Sequence, residues 1–157
     1  MFVFRREGFL TVIQRSAFVP YSQAQMFQLV NDVEQYPQFL PWCAHVAILN
    51  RSADEIEATV TATKGPWRKS FTTVNRLLPH DRVEMRLRNG PFRHLEGHWE
   101  FKSVANNASH VSLHLSFEFN NKLIAMAFGP LFQQMAGTLL HAFTQRAHQI
   151  YASQLID

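Results

Sequence analysis

Hydrophobic and polar residues alternate with a period of two through the middle of the chain, and the period lengthens to about 3.6 near its end. Ile56, Ala58, Val60 and Ala62 alternate with Glu55, Glu57, Thr59 and Thr61, the pattern of a strand with one buried and one wet face. Val83, Met85 and Leu87 alternate in the same way with Arg82, Glu84, Arg86 and Arg88. Leu95, Gly97, Trp99 and Phe101 do so with His94, Glu96, His98 and Glu100. Val111, Leu113, Leu115, Phe117 and Phe119 complete the set against His110, Ser112, His114, Ser116 and Glu118. Turn chemistry separates these runs at Lys64-Gly65-Pro66, Pro79-His80-Asp81, Asn89-Gly90-Pro91 and Asn106-Asn107. The prediction is an antiparallel meander, apolar on one side.

Helical spacing brackets the meander. Residues 9–19 read as a first strand ending at Pro20, after which Ser22 offers a helix cap. Met26, Phe27, Leu29, Val30 and Val33 recur at helical spacing until Tyr36-Pro37, where the residue before proline is pushed out of helical geometry. From about Lys122 to Gln154, Ile124, Phe128, Leu131, Phe132, Met135, Leu139, Phe143 and Ile150 form an apolar stripe, with a kink expected at Gly129-Pro130. A long amphipathic helix laid on a curved antiparallel sheet is an α+β domain. No repeat or linker divides it, so residues 1–157 read as one unit.

Composition narrows the function classes. Hydrophobic residues make up 46% and charged residues 17% of the chain, which excludes intrinsic disorder. Fourteen phenylalanines exceed what a surface accommodates and call for a large core or an apolar pocket. The net charge of +3 permits contact with nucleic acid or a membrane surface without demanding either. The single cysteine, Cys43, builds neither an internal disulfide nor a cysteine-based metal site. Arg5, Arg6 and Glu7 interrupt the apolar N-terminus, so it is not a signal peptide, and no run of 18 apolar residues is expected to span a membrane. A cytoplasmic location is the expectation.

Four pieces of the chain resemble a known family. VPYSQAQMFQLVNDVEQYPQFLPWC, KSFTTVN, GPFRHLEGHWEF and FEFNNKLIAMAFGPLF are similar to the START-like family of polyketide-cyclase type. Within it they most resemble the branch of ribosome association toxins and coenzyme Q-binding proteins, over about residues 12–151. The resemblance implies a helix-grip fold whose sheet wraps the C-terminal helix around an apolar cavity. It implies a hydrophobic ligand such as ubiquinone or another isoprenoid or lipid, and, for some members, binding to the large ribosomal subunit that blocks subunit association. Gly65-Pro66-Trp67 before Arg68 departs from the family pattern at one rim of that cavity.

Candidate residues follow from both sources. Phe117, Phe119, Phe128, Phe132, Met135 and Leu139 would line a tail between sheet and helix, joined by Phe71 and Trp99, with Phe39, Leu40 and Trp42 at the mouth. On strand 67–77, Lys69, Thr73 and Asn75 share parity with Phe71 and Leu77, so either they reach into the interior to orient a polar head or the strand leans to solvent at an edge. Arg68, Arg76, Arg82, Arg86 and Arg88 share an outward side that would suit structured RNA, with a solvated face as the bland alternative; DNA is not expected. His98 and His114 fall side by side on adjacent strands near Glu96 and Glu100, a surface metal site at most, and exposed histidines are the preferred reading. Cys43 and His45 share an expected strand face, but no oxyanion hole or orienting group accompanies them. The reading is a binder without catalytic or metal-ligating residues, holding no cofactor beyond a bound ubiquinone or lipid.

Overall fold

The computed structural model describes residues 3–7 and 10–152, the first five by their backbone alone. Eight strands form one antiparallel sheet: β1 (Val3–Glu7), β2 (Leu10–Val19), β3 (Cys43–Arg51), β4 (Glu55–Lys64), β5 (Trp67–Leu78), β6 (Arg82–Asn89), β7 (Phe92–Ala105) and β8 (Ala108–Phe119). Their spatial order is β1-β2-β8-β7-β6-β5-β4-β3. The meander read from alternation is therefore present, and β2 closes onto its far side, with Ile13 opposite Leu115 and Ala17 opposite Val111. Strand β1, which alternation did not reveal, adds an outer hairpin on β2.

Two helical segments link β2 to β3. Helix α1 (Gln23–Asn31) starts at a reciprocal cap: Gln25 N–H donates to Ser22 Oγ at 3.1 Å, and Ser22 N–H donates to Gln25 Oε1 at 2.9 Å. It stops at Asn31, earlier than expected. A 3-10 helix, Val33–Gln38, follows and contains Pro37, because its short run tolerates the missing donor that an α-helix interior would not. Helix α2 (Lys122–Tyr151) is capped by Asn121, whose side chain accepts from Leu123 N–H at 2.7 Å. It is continuous through Gly129-Pro130. Pro130 is exposed, so the carbonyl it leaves without a helical donor, that of Met126, can turn to water.

Helix α2 buries Phe128, Phe132, Met135, Ala136, Leu140, Phe143 and Ala147. By length and composition it could cross a membrane, contrary to expectation from the sequence, but its inner side is the packing partner of the sheet. The core divides into two clusters along this helix. Around its C-terminal half, Tyr21, Met26, Phe27, Val30, Trp99, Phe101 and Phe143 pack together, with Trp99 edge-on to Phe143 at 5.1 Å. Around its N-terminal half lie Ile13, Ala62, Phe92, Leu95, Leu115, Phe117, Phe132 and Met135.

Bulges decide several faces. In β3 the register shifts between Cys43 and His45, so Cys43 opposes Ala62 on the inner face while His45 opposes Thr61 on the outer one. The shared face expected for this thiol and imidazole is therefore wrong: Ala44 is the extra residue that turns the second side chain over. A second shift, between Ile48 and Asn50, obscures the alternation of this strand. Strands β7 and β8 approach closely at Gly97, where a Cβ would lie 2.4 Å from the His114 carbonyl oxygen. Gly97→Ala is expected to force these strands apart and lower the stability by about 1–3 kcal/mol. Urea denaturation would measure the loss.

Candidate functional site

The N-terminal half of α2 and the sheet beneath it enclose a small apolar chamber. It is lined by Ala62 of β4, Lys69 and Phe71 of β5, Pro91, Phe92 of β7, Phe119 of β8, and Phe128, Phe132 and Met135 of α2. Aromatic rings almost fill it. Phe132 lies 4.7 Å from Phe117, 5.0 Å from Phe92 and 5.9 Å from both Phe71 and Phe119, the spacing of favourable ring pairs. About 10 Å³ remains free, scarcely the volume of one water.

Beside it a groove of about 560 Å³ runs between α2, the segment before β3 and the end of β4, within the range of sites for drug-sized ligands. Leu40, Pro41, Trp42, Thr63, Lys64, Gly65, Leu131, Gln134, Met135, Thr138, His141 and Ala142 line it. Met135 borders both spaces. Its unbranched side chain has three rotatable bonds, which makes it the most adaptable of the residues between them. Trp67 sits at the rim, its ring edge-on to Phe128 at 5.7 Å. The β6–β7 turn closes the other side. Gly90 has φ 153°, and a Cβ there would lie 2.8 Å from Phe71 Cβ, so glycine lets the turn press against β5 at Phe71.

Strand β5 lies between β4 and β6 and is not an edge. Its inward row is Lys69, Phe71, Thr73, Asn75 and Leu77, set opposite the inward Ala62, Val60, Ala58 and Ile56 of β4. Asn75 is buried, and Thr73 Oγ1 donates to its Oδ1 at 3.1 Å. That bond pairs the Thr73 hydroxyl with the Asn75 amide oxygen. Lys69 is half-buried in the chamber wall and makes no ion pair among the described residues, leaving its amine available to an acceptor.

Of the residues singled out in the sequence, Lys69, Phe71, Phe119, Phe128, Phe132 and Met135 meet in the chamber, and Phe117 backs it. Leu40 and Trp42 line the groove. Three others belong to the far cluster: Trp99 packs on Phe101 and Phe143, Phe39 packs on Tyr36, Phe143 and the Arg146 guanidinium, and Leu139 leans on the same group. They border neither space, because parity gives a side chain's face but not its position along the helix axis. Phe92 was missed for a related reason. A register shift between Phe92 and His94 turns it inward, against the parity of its own strand.

The outer face of the sheet carries the expected arginines but is nearly neutral. Arg68, Arg76, Arg82, Arg86, Arg88, Arg93 and Lys102 share it with Glu55, Glu57, Glu84, Glu96, Glu100 and Glu118. Arg82 bridges Glu84 at 3.1 Å and Glu100 at 3.2 Å, Arg88 lies 3.6 Å from Glu57, and Arg76 lies 3.9 Å from Glu84. Arg68 and Arg86 make no ion pair among the described residues. His98 and His114 stack at 5.3 Å, and Gln14 Nε2 donates to His114 Nδ1 at 2.9 Å. Burial, with Arg82 and His114 nearby, holds His98 below the usual histidine range, so this ring is neutral at pH 7. Among the described residues no group of three or more metal-binding side chains assembles.

Comparison with known proteins agrees with this architecture. Residues 19–144 match the family described as polyketide cyclase / dehydrase and lipid transport. The ribosome association toxin RatA of Pseudomonas aeruginosa is 45% identical over 141 residues, covering 90% of this chain and 98% of that protein. A mitochondrial coenzyme Q-binding protein of Xenopus laevis is 26% identical over 143 residues, covering 88% and 59%. The crystal structure of an aromatase/cyclase from Streptomyces superposes with a TM-score of 0.78 at 13% identity, covering 91% and 98%, a likeness of fold. A sheet gripping one long helix, matched across most of the chain by this family, makes the protein a member of the polyketide cyclase / dehydrase and lipid transport family, with the START-like helix-grip fold.

Proposed function

We propose that this protein is a non-enzymatic binder of one apolar ligand, ubiquinone or a similar isoprenoid or lipid. The observation that carries the reading is the pair of spaces divided by Met135: an open groove leading to an aromatic chamber with a single amine in its wall. A swing of Met135 joins them. The tail would then lie along Leu131 and Trp42 while Lys69 donates to a carbonyl oxygen of the head. Each methylene withdrawn from water contributes about 0.8 kcal/mol, so the tail supplies affinity and Lys69 supplies orientation. Similarity to a coenzyme Q-binding protein supports this choice of ligand.

The side chains nearest to catalytic character argue against chemistry. Burial pushes the Cys43 thiol up to about 11, and His45 faces the other way. Burial likewise drives the Tyr36 hydroxyl well above the usual tyrosine range, and it donates to the Val30 carbonyl.

A second reading has its own support, the 45% identity to a ribosome association toxin over nine tenths of the chain. In that reading the protein acts in the cytoplasm on the large ribosomal subunit and hinders subunit association. Arg68 and Arg86, the arginines of the outer face without glutamate partners, are its best contacts with RNA phosphates.

Purified protein is expected to release near-stoichiometric quinone or lipid on solvent extraction, measured by mass spectrometry. Lys69→Met should keep its thermal stability yet bind added ubiquinone about tenfold more weakly; unchanged affinity would remove the amine from the site. Cys43 should react slowly with a disulfide reagent at pH 8, where about one thiol in a thousand is ionised, and rapidly once unfolded in guanidinium. Combining Arg68→Glu with Arg86→Glu should abolish any shift of ribosomes toward free subunits in sucrose gradients without altering ligand content. A full shift by that variant would reject this face as the ribosomal contact.

A further inference from the structure

The solvent side of a helix in a water-exposed protein is normally polar. Helix α2 departs from that over its first turns, where Leu123, Met126, Ala127 and Pro130 all face outward, spaced so that they fall on one side. Leu123 is 75% and Met126 76% exposed. Only 28% of the most apolar eighteen-residue stretch of this helix is buried, and no charged side chain occurs between Lys122 and His141. Trp67, 52% exposed, extends the apolar surface across the β4–β5 turn through its contact with Phe128.

The segments that border the patch and the groove, residues 40–44, 62–69 and 121–142, contain Lys64, Arg68, Lys69 and Lys122 and no carboxylate. Glu118, at the end of β8 that leads into α2, is tied to Arg93 at 3.6 Å. Lys64 and Leu131 also line the groove, so the groove opens onto the same surface. Protruding aliphatic side chains, a tryptophan at the edge and a cationic rim are the composition of a surface that sits in a lipid interface, with apolar groups among the acyl chains and lysines among anionic headgroups. A second copy is a poor occupant. A two-fold contact would set this patch against itself and oppose its cations.

We infer that the N-terminal turns of α2 and the Gly65–Trp67 turn dock onto an anionic bilayer surface, with the groove mouth facing the membrane. The inference rests on exposure and charge rather than on a ligand, and it stands or falls separately from the ligand reading. The test is flotation with vesicles of phosphatidylcholine alone or mixed with phosphatidylglycerol. The protein should float with the mixed vesicles at least tenfold more than with phosphatidylcholine alone, and added salt should reduce this by screening. Combining Leu123→Ser with Met126→Ser should abolish flotation while leaving circular dichroism unchanged, since both side chains are exposed. Arg68→Glu, at a residue outside the groove, should reduce the preference for anionic lipid. Failure of the unaltered protein to float with either vesicle would overturn the inference, as would flotation of the serine variant at the original level. So would a dimer that the serine substitutions dissolve. Quinone uptake from detergent solution, measured on the same variants, separates the two readings: a protein that floats but takes up no quinone keeps the docking surface and loses the ligand.

Discussion

The position of Phe132 decides what the rest of this structure can do. Its ring touches phenylalanines from three strands, Phe71, Phe92, Phe117 and Phe119, and so sets the height at which α2 rides over the sheet. Were the helix higher, the chamber would stand open to water. Ring contacts are weak individually, about 0.5–1.5 kcal/mol beyond area burial, so this seam holds the helix without locking it.

The two core clusters divide the labour. The far cluster joins α1, the sheet and the C-terminal half of α2 through interlocking large rings and hydrogen bonds such as that of Tyr151 Oη to the Gln25 carbonyl at 3.0 Å. Its large side chains, Trp99, Phe101, Phe143 and Met26, are almost completely buried. The near cluster relies on phenylalanines and a methionine whose contacts can be exchanged for those of a ligand. The proposed binding role needs both, because a protein adaptable throughout would have no fixed frame against which a ligand could order it.

Much of this was legible in the sequence, and the failures come from what a one-dimensional pattern leaves out. Alternation located β4 and β6 to β8, and the inward parity of Lys69 and Asn75 held because β5 keeps its register with β4. Where a strand carries an extra residue, parity inverts beyond it. That error hid Phe92, joined Cys43 to His45, and blurred β3. The arginines of the outer face were assigned to the correct side, but their partners were invisible, since Glu57 meets Arg88 and Glu100 meets Arg82 only across strands. Charge along a sequence is one-dimensional, whereas neutralisation on a sheet is lateral. Trp99 and Phe39 show the same limit, being apolar and inward but in the other half of the core.

The register shifts in β3 have a consequence for the protein's neighbours. This strand ends the sheet on one side, and an outermost strand is a row of unpaired amides on which another chain can build. The two bulges break the regular spacing of those amides, and Arg51, tied to Glu34 at 2.6 Å, sets a charged pair at one end. A strand arriving there finds no straight template to extend. At this edge, beside the groove, the protein thus discourages strand-by-strand addition, and what attaches there must do so through side chains rather than through shared backbone.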